Sequence, residues 1–272
     1  MSIIFNCQIM RKILVAILCL IFLGACTQKS ELEQENAENS LELSVRSGES
    51  VVSGDIPVFV YDLTKSNSYY EPVSFAPGEK ITFTDLVAGE YTYFVLGGEV
   101  ADGVCSLYSS EENANLLSLE WHDGEVPELL GGIVKVDGSN DVETVEMSRM
   151  VGGLEINVVN KGELRYLSVS LSSVEQDSIA LNGYTIIPRQ FYLSDFEEGK
   201  MIYHFPTKSP VKGTIHASDD WWNTYFFDFE STKCIERNKK LELRVTLDSV
   251  AFLGRSSGVK KAIVSEENIS DL

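Results

Sequence analysis

Histidine is nearly absent from this sequence. The 272 residues include three, His122, His204 and His216, dispersed along the chain without the HxH or HxxxH spacing that brings two imidazoles onto one metal. No metal site is expected, and each histidine reads as a structural or surface side chain. Walker and Rossmann glycine patterns are also missing. No acid/base pair or nucleophile constellation assembles from the spacing, so the chain is expected to be no enzyme and to need no cofactor. Cysteine is equally thin where it would matter. Cys7, Cys19 and Cys26 lie within the first 26 residues, and Cys105 and Cys234 form no CxxC or Cys/His pair. A disulfide framework is excluded. The two body cysteines are either small buried hydrophobes or a single bridge.

Positive charge is scarce too. Lys and Arg number 22 against 41 Asp and Glu, a formal net charge of −19. The field of such a chain repels phosphate backbones, which argues against nucleic acid as a partner and otherwise serves solubility. Helical patterning is rare: only Ser109-Ser110-Glu111-Glu112 is placed to cap a short helix, expected to run to about Leu119.

What is present begins at the N-terminus. Met10-Arg11-Lys12 precedes an apolar run from Ile13 to Leu23, then Gly24, Ala25 and Cys26. A membrane-crossing helix needs about 20 apolar residues, so this shorter run reads as a signal peptide over residues 1–25. Leu23-Gly24-Ala25-Cys26 resembles a bacterial lipobox. The resemblance implies diacylglycerol and further acyl chains, such as palmitate, on Cys26, and hence a lipoprotein. Each buried methylene is worth about 0.8 kcal/mol, so two or three chains anchor stably where one does not. Residues 26–40, rich in Glu, Asn, Gln and Ser, read as a lipidated acidic tether. An acidic stretch at this place resembles the surface-export signal of some Gram-negative lipoproteins, which implies a surface-exposed position on the outer membrane.

From Leu41 the pattern becomes short alternating runs with β-branched and aromatic residues, separated by Pro77-Gly78, Asp123-Gly124, Asp137-Gly138 and Asn182-Gly183. This is strand and turn chemistry. Ile56 to Leu63 (IPVFVYDL) is apolar on both faces, as in a central sandwich strand. Val134–Val136 and Val142–Met147 are expected to form a hairpin around residues 137–141. That loop also has Ca²⁺-loop residue types, but it lacks the glycine and distant Glu of a calcium site. The expected fold is all-β: two tandem β-sandwich domains, residues 41–148 and 149–272.

Two segments carry a family resemblance. TFTDLVAGEYTYFVLGGE (82–99) resembles a strand pair of transthyretin-like domains. MSRMVGGLEINVVN (147–160), followed by LRYLSVSLSSVEQDSIALNG (164–183), looks like the opening of a second such domain. The arrangement is similar to the fimbrillin-associated anchor proteins and fimbrillin-like lipoproteins of Gram-negative anaerobes. The resemblance implies cell adhesion, a place in the fimbrium or pilus, fimbrial subunits as partners, and joining by strand addition. Some fimbrial subunits are matured by an arginine-specific protease. Arg46 lies near the start of the first domain but inside an apparent strand, so cleavage there is not expected.

The most unusual local cluster is Asp219-Asp220-Trp221-Trp222 with Tyr225-Phe226-Phe227. Trp221, Trp222 and Tyr225 are the candidate contacts to a ligand or partner. Flat rings beside two acids suit the apolar face of a sugar, and suit equally a core or an interface. The alternative function is accordingly a surface glycan-binding lipoprotein of a polysaccharide-uptake system. Asp177-Ser178-Ile179 and Asp248-Ser249-Val250 also resemble a short bacterial O-glycosylation motif.

Overall fold

The computed structural model describes residues 41–47, 56–65, 67–84, 86–87, 89–100, 103–122, 125–137, 142–172, 175–190, 196–247 and 259–272. The leader, Cys26, the tether, and residues 138–141 of the expected hairpin loop lie outside these. The described residues form β1 (Leu41–Ser47), β2 (Val58–Asp62), β3 (Tyr69–Tyr70), β4 (Pro72–Phe75), β5 (Ile81–Phe83), β6 (Tyr91–Gly97), β7 (Cys105–Ser109), β8 (Leu116–Trp121), β9 (Leu130–Val136) and β10 (Val142–Arg149). They continue with β11 (Gly152–Val159), β12 (Tyr166–Leu171), β13 (Ile179–Leu181), β14 (Tyr184–Gln190), β15 (Phe196–Glu197), β16 (Ile202–His204), β17 (Lys212–Ser218), β18 (Thr224–Glu230), β19 (Lys239–Leu247) and β20 (Val259–Asp271). The fold is all-β.

The first sheet runs β4-β2-β6-β9-β10-β1-β5. Its centre is buried on both sides. Val58, Val60, Tyr93, Val95, Val134 and Val136 join one cluster with Leu43, Val145 and Met147. Their chain neighbours Phe59, Tyr61, Phe94, Leu96 and Ile133 join another with Leu117, Leu119 and Trp121. A strand buried on both faces has no reason to alternate apolar with polar, which is why IPVFVYDL reads as it does. The two strands of the 82–99 motif are not hydrogen-bonded to each other: β5 pairs with β1, and β6 with β2 and β9.

β9 and β10 are consecutive antiparallel neighbours, as a hairpin requires, and among the described residues their paired positions, Ser148–Gly131 and Arg149–Leu130, lie at the end away from the loop rather than at 134–136. On the other edge of β10, Val142–Met147 run parallel to β1, with Glu42 opposite Val142 and Ser47 opposite Met147. The crossing is close: a Cβ on Gly132 would stand 2.5 Å from the Glu146 carbonyl.

The helix expected after Ser109 is corrected. β7 and β8 form an antiparallel pair from Cys105–Trp121 to Ser109–Leu117. Leu117, Leu119 and Trp121 are buried while Leu116, Ser118 and Glu120 are half-buried, a two-residue period that overrides the capping signal. The polar residues cap a loop instead: Asn115 N donates to Asn113 Oδ1 at 3.0 Å and Glu112 N to Ser110 Oγ at 3.3 Å.

β7 and β8 belong to a five-stranded sheet, β13-β14-β8-β7-β3. β14 lies parallel to β8 from Thr185–Leu116 to Gln190–Trp121. Asn182 and Gly183 turn its hairpin with β13, both at positive φ. This hairpin comes from the far side of the 148/149 division and packs Ile179, Leu181 and Ile186 into the same cluster as Phe94 and Leu119.

The remaining strands form the sheet β15-β12-β17-β18-β20-β19-β11-β16. Both of its halves face one cluster, with Val169, Ile215 and Phe227 from one half and Leu154, Ile156, Leu243 and Val245 from the other. β20 joins the halves, parallel to β18 at residues 259–261 and antiparallel to β19 thereafter.

Candidate functional site

β12, β17 and β18 are adjacent antiparallel strands in continuous register. Alternation sends Val169, Ile215, Ala217, Phe227 and Phe229 into the core. It leaves Tyr166, Ser168, His216, Ser218, Thr224 and Phe226 on the opposite face.

The turn from β17 to β18 is organised by the Asp219 carboxylate. Its Oδ1 accepts from Trp221 N and Asn223 N, both at 2.9 Å, and its Oδ2 from Asn223 Nδ2 at 2.8 Å and Tyr225 Oη at 3.1 Å. These donors, the Asn223 side chain first, hold Asp219 below the usual carboxylate range. The turn places Trp222 at φ 61°, a left-handed conformation that a bulky side chain rarely adopts.

In this conformation Trp222 stacks on Tyr166, with ring centroids 5.7 Å apart and planes 9° from parallel. The rings stay in solvent: Trp221 is 85%, Trp222 78% and Tyr166 60% exposed. Beside them, Arg165 Nε lies 3.7 Å from Asp220 Oδ1. The Tyr166 end opens into a groove of about 460 Å³ lined by Ser168, Glu197, His216, Ser218 and Thr224 among others. Phe226 packs edge-on to His216 at 5.1 Å, and Ser170 Oγ is 3.1 Å from His216 Nε2.

Two of the three residues expected from sequence, Trp221 and Trp222, are thus solvent-facing at one hairpin tip. Tyr225 is placed otherwise: its ring packs against the core, and burial together with the bond to Asp219 raises its hydroxyl's pKa. Tyr166 takes the place beside Trp222. The sequence held a signal for it, because Leu167, Val169 and Leu171 point inward and so set Tyr166 outward.

The other residues singled out are scattered. His122 is exposed and His204 is fully buried. Among the described residues no group of His, Cys, Asp and Glu is arranged to hold a metal. Among the described residues Cys105 and Cys234 are unpaired thiols, each half-buried. Arg46 stands in β1 opposite Glu146, and Ser178 is exposed. Gly254-Arg255-Ser256-Ser257-Gly258 matches a Gly-x-Ser-x-Gly run and lies outside the described residues. A strand, β20, follows it, whereas a nucleophile turn leads into a helix.

No family model and no curated protein matches the chain. Solved structures do. A candidate cell-adhesion protein from Bacteroides uniformis aligns at 14% identity and TM-score 0.43, covering 85% of this chain and 98% of that one. One from Bacteroides eggerthii aligns at 12% and 0.44, covering 85% and 93%. The fimbrial anchor protein Mfa2 from Porphyromonas gingivalis aligns at 10% and 0.40, covering 86% and 98%. At these scores the likenesses carry no functional argument.

Proposed function

We propose that the chain is a lipid-anchored structural protein of the bacterial cell surface. In this reading Cys26 holds it to the outer membrane, and it serves as an anchor or accessory subunit of a fimbrium whose neighbours join by strand addition. The lipobox and acidic tether support the anchoring.

The observation that supports strand addition is the placement of β1. Among the described residues, the edges of the three sheets are β4, β5, β15, β16, β13 and β3, each of four residues or fewer. Short edges are how folded sheets avoid unwanted pairing. β1 is different. It has seven residues, lies parallel to β10 over six of them, and meets β5 over only three. Withdrawing β1 would expose eight-residue β10 as an edge above buried Val145 and Met147. A partner's strand could then dock there, main-chain bonds giving affinity and alternate side chains giving specificity.

The test mixes the purified lipid-free chain, and a form beginning after Ser47, with purified fimbrial subunits from the same bacterium. Association that strengthens without β1, and that a synthetic LELSVRS peptide blocks, is the expected result. Failure of both forms to associate with any subunit removes the reading's support.

A further inference from the structure

We infer that the outer face of β12 and β17, with the Tyr166–Trp222 ring pair at its end, is a binding site for a neutral glycan chain. The inference stands on different residues from strand addition and does not depend on it.

The rings are the first argument. Trp221 and Trp222 are more than three-quarters exposed, so they bury little apolar area in the fold and contribute correspondingly little to its stability. Trp222 also occupies a backbone conformation that glycine or asparagine would adopt with less strain. Asp219 holds it there through its hydrogen bonds to the turn. A strained backbone that carries an exposed indole, stacked on Tyr166, marks a place for function rather than for packing. A flat ring fixed in water suits the C–H face of a pyranose.

The groove chemistry selects the ligand class. Ser168, Ser218 and Thr224 hydroxyls both donate and accept, the Glu197 carboxylate accepts, and His216 can do either. A polyol, whose hydroxyls also do both, matches such a mixed set. An anionic ligand does not. Glu197 and Glu198 line the groove, its cation Arg165 already faces Asp220, and the chain carries a net −19. The groove's volume of about 460 Å³ falls in the usual range for ligand clefts, roughly 300–1,000 Å³. It is open along the sheet, so it can admit a segment of a longer chain.

The test uses the full chain purified in detergent. It is applied to an array of neutral oligosaccharides, with chondroitin sulfate, polygalacturonate and polylysine as contrasts, and hits are titrated by tryptophan fluorescence. Saturable binding of at least one neutral oligosaccharide is expected, weakened about tenfold or more in Trp222→Gly and in Tyr166→Ala. Trp222→Gly suits the left-handed backbone, so its melting temperature should not fall and lost binding cannot be blamed on unfolding. Binding of none of the neutral oligosaccharides overturns the inference. So does binding that both variants leave unchanged, or binding confined to the charged polymers, the polylysine case pointing to a basic protein partner.

Discussion

Arg149 grips Glu128 with two nitrogens, Nε at 2.8 Å and Nη2 at 2.5 Å from the same carboxylate oxygen. Its Nη1 also donates to Asn238 Oδ1 at 2.6 Å and to the Leu272 carbonyl at 3.3 Å, while Tyr203 Oη donates to the other oxygen of Glu128 at 3.4 Å. One guanidinium thus ties the end of β10 to the segment before β9 and to the far end of the chain. Its side chain is only 14% exposed. Arg149→Ala strands a half-buried carboxylate and should cost about 1–3 kcal/mol, between surface and buried pairs. Arg149→Lys should recover only part of this, because an ammonium cannot serve the same fork. Urea unfolding of the three proteins measures both.

His204 gives the fold a sensitivity to acid. It is fully buried in β16; its Nδ1 lies 2.6 Å from the Phe205 carbonyl, and its Nε2 has no hydrogen-bond partner among the described residues. Burial lowers its pKa below the ordinary value of 6.5, outweighing the opposing bond to Phe205. The unfolded chain therefore binds a proton more readily than the folded one. The neutral form's contribution is fully present above about pH 6.5 and is lost as pH falls from there toward the lower folded value. Melting temperature should drop over that interval, and His204→Gln should flatten the drop. An equal slope in both proteins would assign the acid sensitivity to other groups.

Cys105 should behave as an inert core residue. Burial pushes its thiol up to about 12, against the smaller opposing effect of the hydrogen bond from Tyr61. The thiolate is the reactive species. Iodoacetamide at pH 8 should therefore leave Cys105 unmodified in the folded protein and alkylate it in urea, as peptide mass spectrometry would show. Rapid native alkylation would contradict the packing of β7.

Asp219→Ala removes the acceptor for four hydrogen bonds at the hairpin tip. Trp222 should then leave its left-handed conformation and separate from Tyr166, with loss of near-ultraviolet circular dichroism from the ring pair. Unfolding should still be cooperative, since the tip is exposed and the strands beneath it keep their pairs. An unchanged aromatic spectrum would mean the rings hold each other without the carboxylate.

Local signals were legible where they were local. The apolar run IPVFVYDL located the two-faced β2, because burial on both faces writes itself into successive residues. The Trp221–Trp222 cluster stood out by its composition, while its exposed place at a hairpin tip did not. Long-range choices were not legible. Ser109 to Glu112 carries a capping pattern, and only the burial of Leu117, Leu119 and Trp121 against β14 decides for a hairpin. That β1 pairs parallel to β10, and that residues 179–190 cross into the earlier sheet, depends on contacts between segments far apart in sequence. The partner of Trp222 was hidden likewise, since Tyr166 reaches it through the registration of β12 with β17. β20 was missed because its outward residues are mostly polar.

Metabolic labelling tests the central claim most directly. Cells expressing the chain, or its Cys26→Ser variant, are fed an alkyne-tagged palmitate, and the protein is recovered from membrane and medium. The account predicts label and membrane retention in the parent, with neither in the variant. Equal labelling of both proteins, or an unlabelled parent, would contradict it.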